Sequence, residues 1–254
     1  NARPNCPLAS PMPDVTNPDL PVPRAKDGGP LYTETPPEVR DQKPYPGLVA
    51  EPWNAVTAFL FVAVAVFWFL RLRGRLRRYP FLAVSLPLLL VGGIGGTLYH
   101  GLRTWRGYFL MDVIPIYLLG LIVSIYWWIR LGPRVRHLLS MLVFLGVLQL
   151  LGMWQLPPHW AINVSYATLA MLILVPLSLV LIRTRGRHAG WVATAFVSFG
   201  IAWFCRLADA WDEPLFPMGT HWLWHTFGAV TTAALTEYVY LIEGVNLRKS
   251  SPTA

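Results

Sequence analysis

Seven apolar runs dominate this chain: residues 53–70, 80–100, 108–129, 138–154, 161–182, 189–207 and 221–242. Each is close to the roughly 17–25 residues that a helix needs to cross the hydrocarbon core of a bilayer. Gly, Pro and Thr inside the runs are compatible with this, because neighbouring helices can satisfy the backbone groups they loosen. No repeat of 20 to 50 residues is evident. The runs therefore predict one all-α domain over 48–245, a polytopic membrane protein built as a seven-transmembrane-helix bundle.

Composition supports a membrane class: the chain is 54% hydrophobic, 13% charged and holds 12 Trp. The formal net charge of +8 does not point to nucleic acid, since the basic residues form short clusters between apolar runs rather than a polar domain. Cys6 and Cys205 have no CxxC spacing and are read as structural or incidental. Residues 1–47 are rich in Pro with scattered charges, and read as an extended or poorly ordered extramembrane tail. They show no basic stretch followed by a short apolar one, so a signal peptide is not expected there.

Basic residues set the expected orientation. Arg71, Arg73, Arg75, Arg77, Arg78, Arg130, Arg134, Arg136, Arg183, Arg185 and Arg187 follow odd-numbered runs, and Arg248 and Lys249 lie in the tail 246–254. The short loops opposite hold only Arg103, Arg106 and Arg206. Such an excess marks the cytoplasmic side, which makes the C-terminus cytoplasmic and the N-terminus periplasmic or luminal.

With that topology the scattered polar residues share one end of the bundle. His100 closes the second run, Asp112 opens the third, and His221 and His225 open the seventh in "GTHWLWH". Residues four apart share a helix face, so His221 and His225 can address one point, with His100 as a third nitrogen. Three protein ligands with an open position describe a catalytic zinc rather than a closed structural one. An ionisable group at membrane depth, such as Asp112 in "FLMDVIPI", needs a polar partner or a function. It could accept a proton at such a site or orient a ligand. Interfacial histidines and an aromatic belt are the competing explanation for each residue taken singly. Glu51 and Asn54 stand at the start of the first run on the same side. Asp209, Asp212 and Glu213, beside Arg206, are read as an ion-pair group or a cation site. His137, His159 and His188 are read as interfacial, and the "NVS" at Asn163 falls inside the fifth run.

The pattern resembles the alkaline ceramidase and adiponectin-receptor-like superfamily of seven-helix membrane hydrolases, above all its bacterial ceramidase-like branch. "AEPWNAVTAFLF", "GIGGTLYH", "DVIPI" and "GTHWLWH" carry the resemblance, in order, across residues 50 to 245. It implies Zn2+ held by His100, His221 and His225, with Asp112 as the proton-transfer group. It also implies hydrolysis of the amide of a ceramide-like or other N-acyl lipid drawn from the membrane, so a role in sphingolipid or related lipid metabolism. Family members carry Ser four residues before the first of these histidines, where this chain has Gly96; Thr97 next door is the substitute hydroxyl. Animal members bind Ca2+ through an acidic run before the first helix. Glu51 matches its last carboxylate as a possible second cation ligand, but "PPEVRDQKPY" replaces the run, which weakens the expectation of Ca2+ and leaves Glu38 and Asp41 as substitutes. Two readings stay open beside the hydrolase. One is a non-turnover zinc-binding member acting as a lipid-binding receptor or accessory subunit, and the other is a b-type haem protein.

Overall fold

A computed structural model describes residues 24–132 and 158–243, with scattered residues between 140 and 155. Residues 1–23 with Cys6, about half of the fourth apolar run, His137 and the expected tail 246–254 lie outside the described residues. The protein is all-α. The helices whose bounds fall within the described residues are, in chain order, α1 (Pro37–Arg40), α2 (Pro52–Arg71), α3 (Pro80–Leu102), α4 (Arg106–Leu131), α5 (Pro158–Arg183), α6 (Ala189–Ala208) and α7 (His221–Ile242). A 3-10 turn, Leu76–Arg78, joins α2 to α3.

Local sequence explains where the helices begin and end. Pro52 and Pro80 open α2 and α3, where the missing N–H would be unsatisfied anyway and φ is already helical. Arg103 and Gly132, both in the left-handed region, end α3 and α4. Around the bundle α2 packs on α3 and α7, α3 on α4, α4 on α5, and α6 on α7. Small residues permit the closest of these approaches: a Cβ on Gly95 would lie 2.4 Å from the Met111 carbonyl carbon, so α3 and α4 meet backbone to backbone.

Among the described residues four helices, α2, α3, α4 and α6, are long and apolar enough to cross a membrane. Helices of this length and composition suggest a multi-pass membrane protein. Of the other three expected spans, the fourth run is only partly described, the fifth is counted as an apolar helix over Ala170–Arg183 alone, and the last is the more polar α7. It is 22 residues long but holds two His, four Thr and Glu237. Its hydroxyls are absorbed locally: Thr226, Thr231, Thr232 and Thr236 each donate to the carbonyl four residues back. Glu237 is answered by a forked pair with Arg71 on α2.

The apolar core, including Trp68, Leu72, Leu86, Trp127, Leu177 and Tyr238, sits toward one end of the bundle. The opposite end, where α2, α4 and α7 start and α3 and α6 finish, is covered by residues 24–50. This segment is packed, not the extended tail its composition predicts. Ala25, Val39 and Ala50 form a small buried cluster with Leu31 and Tyr45 against it. Ala50 and Glu51 donate their N–H groups to the Gly101 and His100 carbonyls at 2.8 and 3.1 Å, closing the open end of α3.

Candidate metal centre

Three imidazoles meet beneath that cover. His100 reaches the point from the last turn of α3, and His221 and His225 from the first turns of α7. They are 0, 3 and 4% exposed. One ring nitrogen from each lies within 4.8 Å of the others, and the ring centroids are 4.7–5.3 Å apart. Small side-chain rotations bring such nitrogens to one ion at the roughly 2.0–2.1 Å of a Zn–N bond. Among the described residues this is the one group of three or more His, Cys, Asp or Glu side chains placed to share a metal.

The partners of the rings decide which nitrogens face inward. Nδ1–H of His100 donates to Glu51 Oε2 at 2.5 Å, leaving a buried Nε2 with no hydrogen-bond partner. Nδ1–H of His225 donates to the Asn54 carbonyl at 3.1 Å, which frees its Nε2 as well. A ligating histidine almost always donates its other N–H to a carboxylate or carbonyl, which fixes the tautomer. A buried ring nitrogen without a partner is costly unless something binds it. These residues fit a metal ion such as zinc, whose structural and catalytic sites favour imidazole donors.

Each element that presents a ligand is itself tied down. Asp209 Oδ1 accepts from the Thr220 and His221 N–H groups at 2.7 and 3.0 Å and so caps α7. Its other oxygen takes the Thr33 N–H at 3.2 Å. The carboxylate expected in an ion-pair group or a cation site is thus a helix cap that also anchors the N-terminal segment. Glu34 does the same for α2, accepting from Trp53 and Asn54 N–H at 2.7 and 2.9 Å.

Glu51 is fully buried and has four donors. Oε1 accepts from Thr35 at 2.6 Å and Arg103 Nη1 at 2.7 Å, and Oε2 from His100 and, at 3.3 Å, Asn54 Nδ2. It is an orienting group for His100, and Arg103 places a positive charge beside it. Arg103 bridges on to Asp27 through Nε at 2.8 Å, both side chains fully buried. Burial alone would raise the Glu51 carboxyl, but His100, Arg103 and Thr35 together hold it below the usual carboxylate range. Of the two substitutes considered for Ca2+, Asp41 pairs with Lys43 on the surface, and neither Asp41 nor Glu38 joins a metal-binding group among the described residues.

A cavity of about 390 Å³ runs from His221, His225, Asp112 and Tyr32 past Gly92 and Leu174 to Leu86, Leu177 and Val239. Asp112 therefore shares a space with two of the histidines. Gly96 explains its position: a Cβ there would lie 2.7 Å from Asp112 Oδ1, so the glycine leaves room for the carboxylate. Thr97 is turned elsewhere. Its hydroxyl donates to the Gly93 carbonyl at 2.8 Å, and it is not among the described residues that line the cavity. Trp224 lines the cavity, Trp53 pairs with Trp222 at 5.7 Å, and Trp105 is exposed.

Several residues of the site escape the sequence pattern. Tyr32 stacks on His221 with ring centroids 3.9 Å apart and lies 5.2 Å from the His100 ring. Asp27, Thr35 and Arg103 complete the Glu51 junction. The one available signal was the placing of Asp27 and Glu34 among prolines and glycines in an otherwise apolar protein.

Comparison with known proteins assigns no family: no family model matches the chain, and no curated protein matches it. The fold and site define an all-helical protein with several apolar helices and a buried three-histidine cluster that can hold a metal ion.

Proposed function

We propose that the protein is a zinc-dependent amide hydrolase of the membrane, acting on ceramide-like or other N-acyl lipids. The observation that carries this reading is the joining of two chemistries in one cavity. His221 and His225, two of the three clustered imidazoles, stand with the Asp112 carboxylate at its polar end, and an apolar wall leads away from them. Residues 221 to 239 of α7 line both ends, a rise of roughly 27 Å at 1.5 Å per residue. A long apolar chain with one polar end suits such a space.

In this reading His100, His221 and His225 hold the metal, and Glu51 and the Asn54 carbonyl keep His100 and His225 in the tautomers that ligation requires. Zinc, when bound, supplies a Lewis acid for the amide carbonyl and lowers the pKa of water to roughly 7. Asp112 takes the proton of the attacking water and gives it to the leaving nitrogen, so that the C–N bond breaks to a fatty acid and an amine. Thr97 contributes a hydroxyl only by rotating away from Gly93. Seven spans, with this end of the bundle periplasmic or luminal, complete the proposed arrangement.

The test is metal analysis and fatty-acid release by the purified protein. Zinc near one equivalent, lost in His100→Ala and His225→Ala, together with release from an N-acyl lipid that falls by about 10²-fold or more in Asp112→Asn, supports the hydrolase. Zinc without release from any N-acyl lipid supports a binding protein instead, and a haem absorption band would overturn both.

A further inference from the structure

We propose that Tyr32 is the hydrogen-bond donor that meets the head of the bound lipid: its phenol O–H reaches the amide oxygen and stays with it as hydrolysis makes it negative. The inference deepens the hydrolase reading and rests on it for the reaction. When water attacks the amide carbon, an electron pair of the C=O bond moves to the oxygen, and a donor already in place stabilises the charge that develops there. Three hydroxyls of the cavity wall are engaged elsewhere. Thr231, Thr232 and Thr236 each donate to a carbonyl of their own helix.

Tyr32 comes from the cover rather than the bundle, and the chain around it is fixed. Its N–H donates to Thr35 Oγ1 at 2.8 Å, and its carbonyl accepts from Arg40. The next residue, Thr33, is tied to Asp209 through its N–H and its hydroxyl at 3.2 and 2.9 Å. The ring is held as well, stacked on His221 at an interplanar angle of 27°, with the Arg103 guanidinium 5.6 Å from its centre. The hydroxyl is uncommitted: it makes no hydrogen bond to another of the described residues. Tyr32 lines the cavity with His221, His225 and Asp112, keeps part of its surface accessible, and is within electrostatic reach of Asp112. Burial pushes the phenol well above its usual value, so it carries its proton at neutral pH and acts as a donor, not as a base. A fixed ring with an uncommitted O–H needs no rearrangement when charge appears, and it keeps its proton throughout while Asp112 handles that of the water.

Tyr32→Phe removes the hydroxyl and keeps the ring on His221, whereas Tyr32→Leu removes both. The zinc-loaded proteins in detergent are compared for fatty-acid release from N-palmitoylethanolamine. Tryptophan quenching measures their affinity for hexadecylphosphonate, whose tetrahedral anionic head stands in for the attacked amide. Tyr32→Phe is expected to lower kcat about 10²–10³-fold, the loss for one oxyanion donor, with KM within about threefold and zinc content unchanged. Its affinity for hexadecylphosphonate falls roughly ten- to a hundredfold, the range of a hydrogen bond to a charged group. Release and phosphonate binding that survive Tyr32→Phe and are lost only in Tyr32→Leu make the ring a packing element and overturn the inference. Because binding is read without turnover, weaker phosphonate binding in Tyr32→Phe with no release from any N-acyl lipid by the wild type defeats the hydrolase reading and upholds the donor. Release by the wild type that Tyr32→Phe leaves intact does the reverse.

Discussion

Glu51 and His100 share a hydrogen bond of 2.5 Å between two side chains that are both fully buried, one at the N-terminus of α2 and the other in the last turn of α3. The bond turns Nε2 of His100 toward His221 and His225. It also links the three-histidine cluster to Arg103, Asp27 and the N-terminal segment, so that the cluster and its cover form one hydrogen-bonded unit.

Removing the carboxylate's charge should therefore weaken metal binding without abolishing it. Glu51→Gln keeps an oxygen for the His100 N–H but loses the negative charge beside the ring. Zinc affinity is expected to fall about 10–100-fold, as for other partners of metal-bound histidines. Competition with a chromophoric chelator measures it. Unchanged affinity would show that His100 is held by packing alone.

Arg103 should matter more to stability than its place in a loop suggests. Its guanidinium is buried between two carboxylates, and Arg103→Met leaves both Asp27 and Glu51 without their cation. Breaking a buried pair from one side costs about 3–5 kcal/mol. Thermal unfolding in detergent should show this loss, and Arg103→Lys should recover little of it. An ammonium cannot reproduce the forked contacts at 2.7 and 2.8 Å.

Much of the bundle was legible because its signals are local. The apolar runs gave α2, α3, α4 and α6, and the four-residue spacing put His221 and His225 on one face of α7. The convergence of His100 with them needed only the expectation that the end of α3 and the start of α7 share one side. The cover was not legible. Residues 24–50 have no apolar period, and their order comes from contacts between distant residues, such as Asp27 with Arg103 and Thr33 with Asp209, that no window of sequence contains. Asp209 was misread for the same reason. Its partners are backbone N–H groups made available by the start of α7, and composition offers only its charge.

Acid should undock the cover in a defined pH window. The Glu51 carboxyl is held below the usual range, so the stability it contributes is full above its unfolded pKa of about 4.3 and is lost as the pH falls through the lower folded value. Limited proteolysis between Arg24 and Ala50 is expected to be slow at pH 5 and above, and to accelerate only below about pH 4. Acceleration already near pH 6 would point to histidine protonation in place of Glu51.

Gly96 offers the sharpest test of how Asp112 works. A side chain at this position would bring Cβ to 2.7 Å from Asp112 Oδ1 and 3.3 Å from the Ala58 Cβ, so one of them must give way. The carboxylate is the movable end of a side chain, whereas Ala58 is fixed on α2. In Gly96→Ala, Asp112 therefore shifts while the three histidines stay in place. Zinc content should be unchanged and stability should fall by about 1–3 kcal/mol, the usual cost of overpacking. Fatty-acid release should fall more steeply, since a displacement of about 1 Å at a reacting group can cost 10²-fold. Gly96→Ser meets the same obstruction but adds a hydroxyl that can donate to the displaced carboxylate. If serine restores what alanine loses, a hydroxyl at this position works with Asp112. If both variants lose release equally, the empty space at Gly96 is itself the requirement, and Asp112 must occupy it to act.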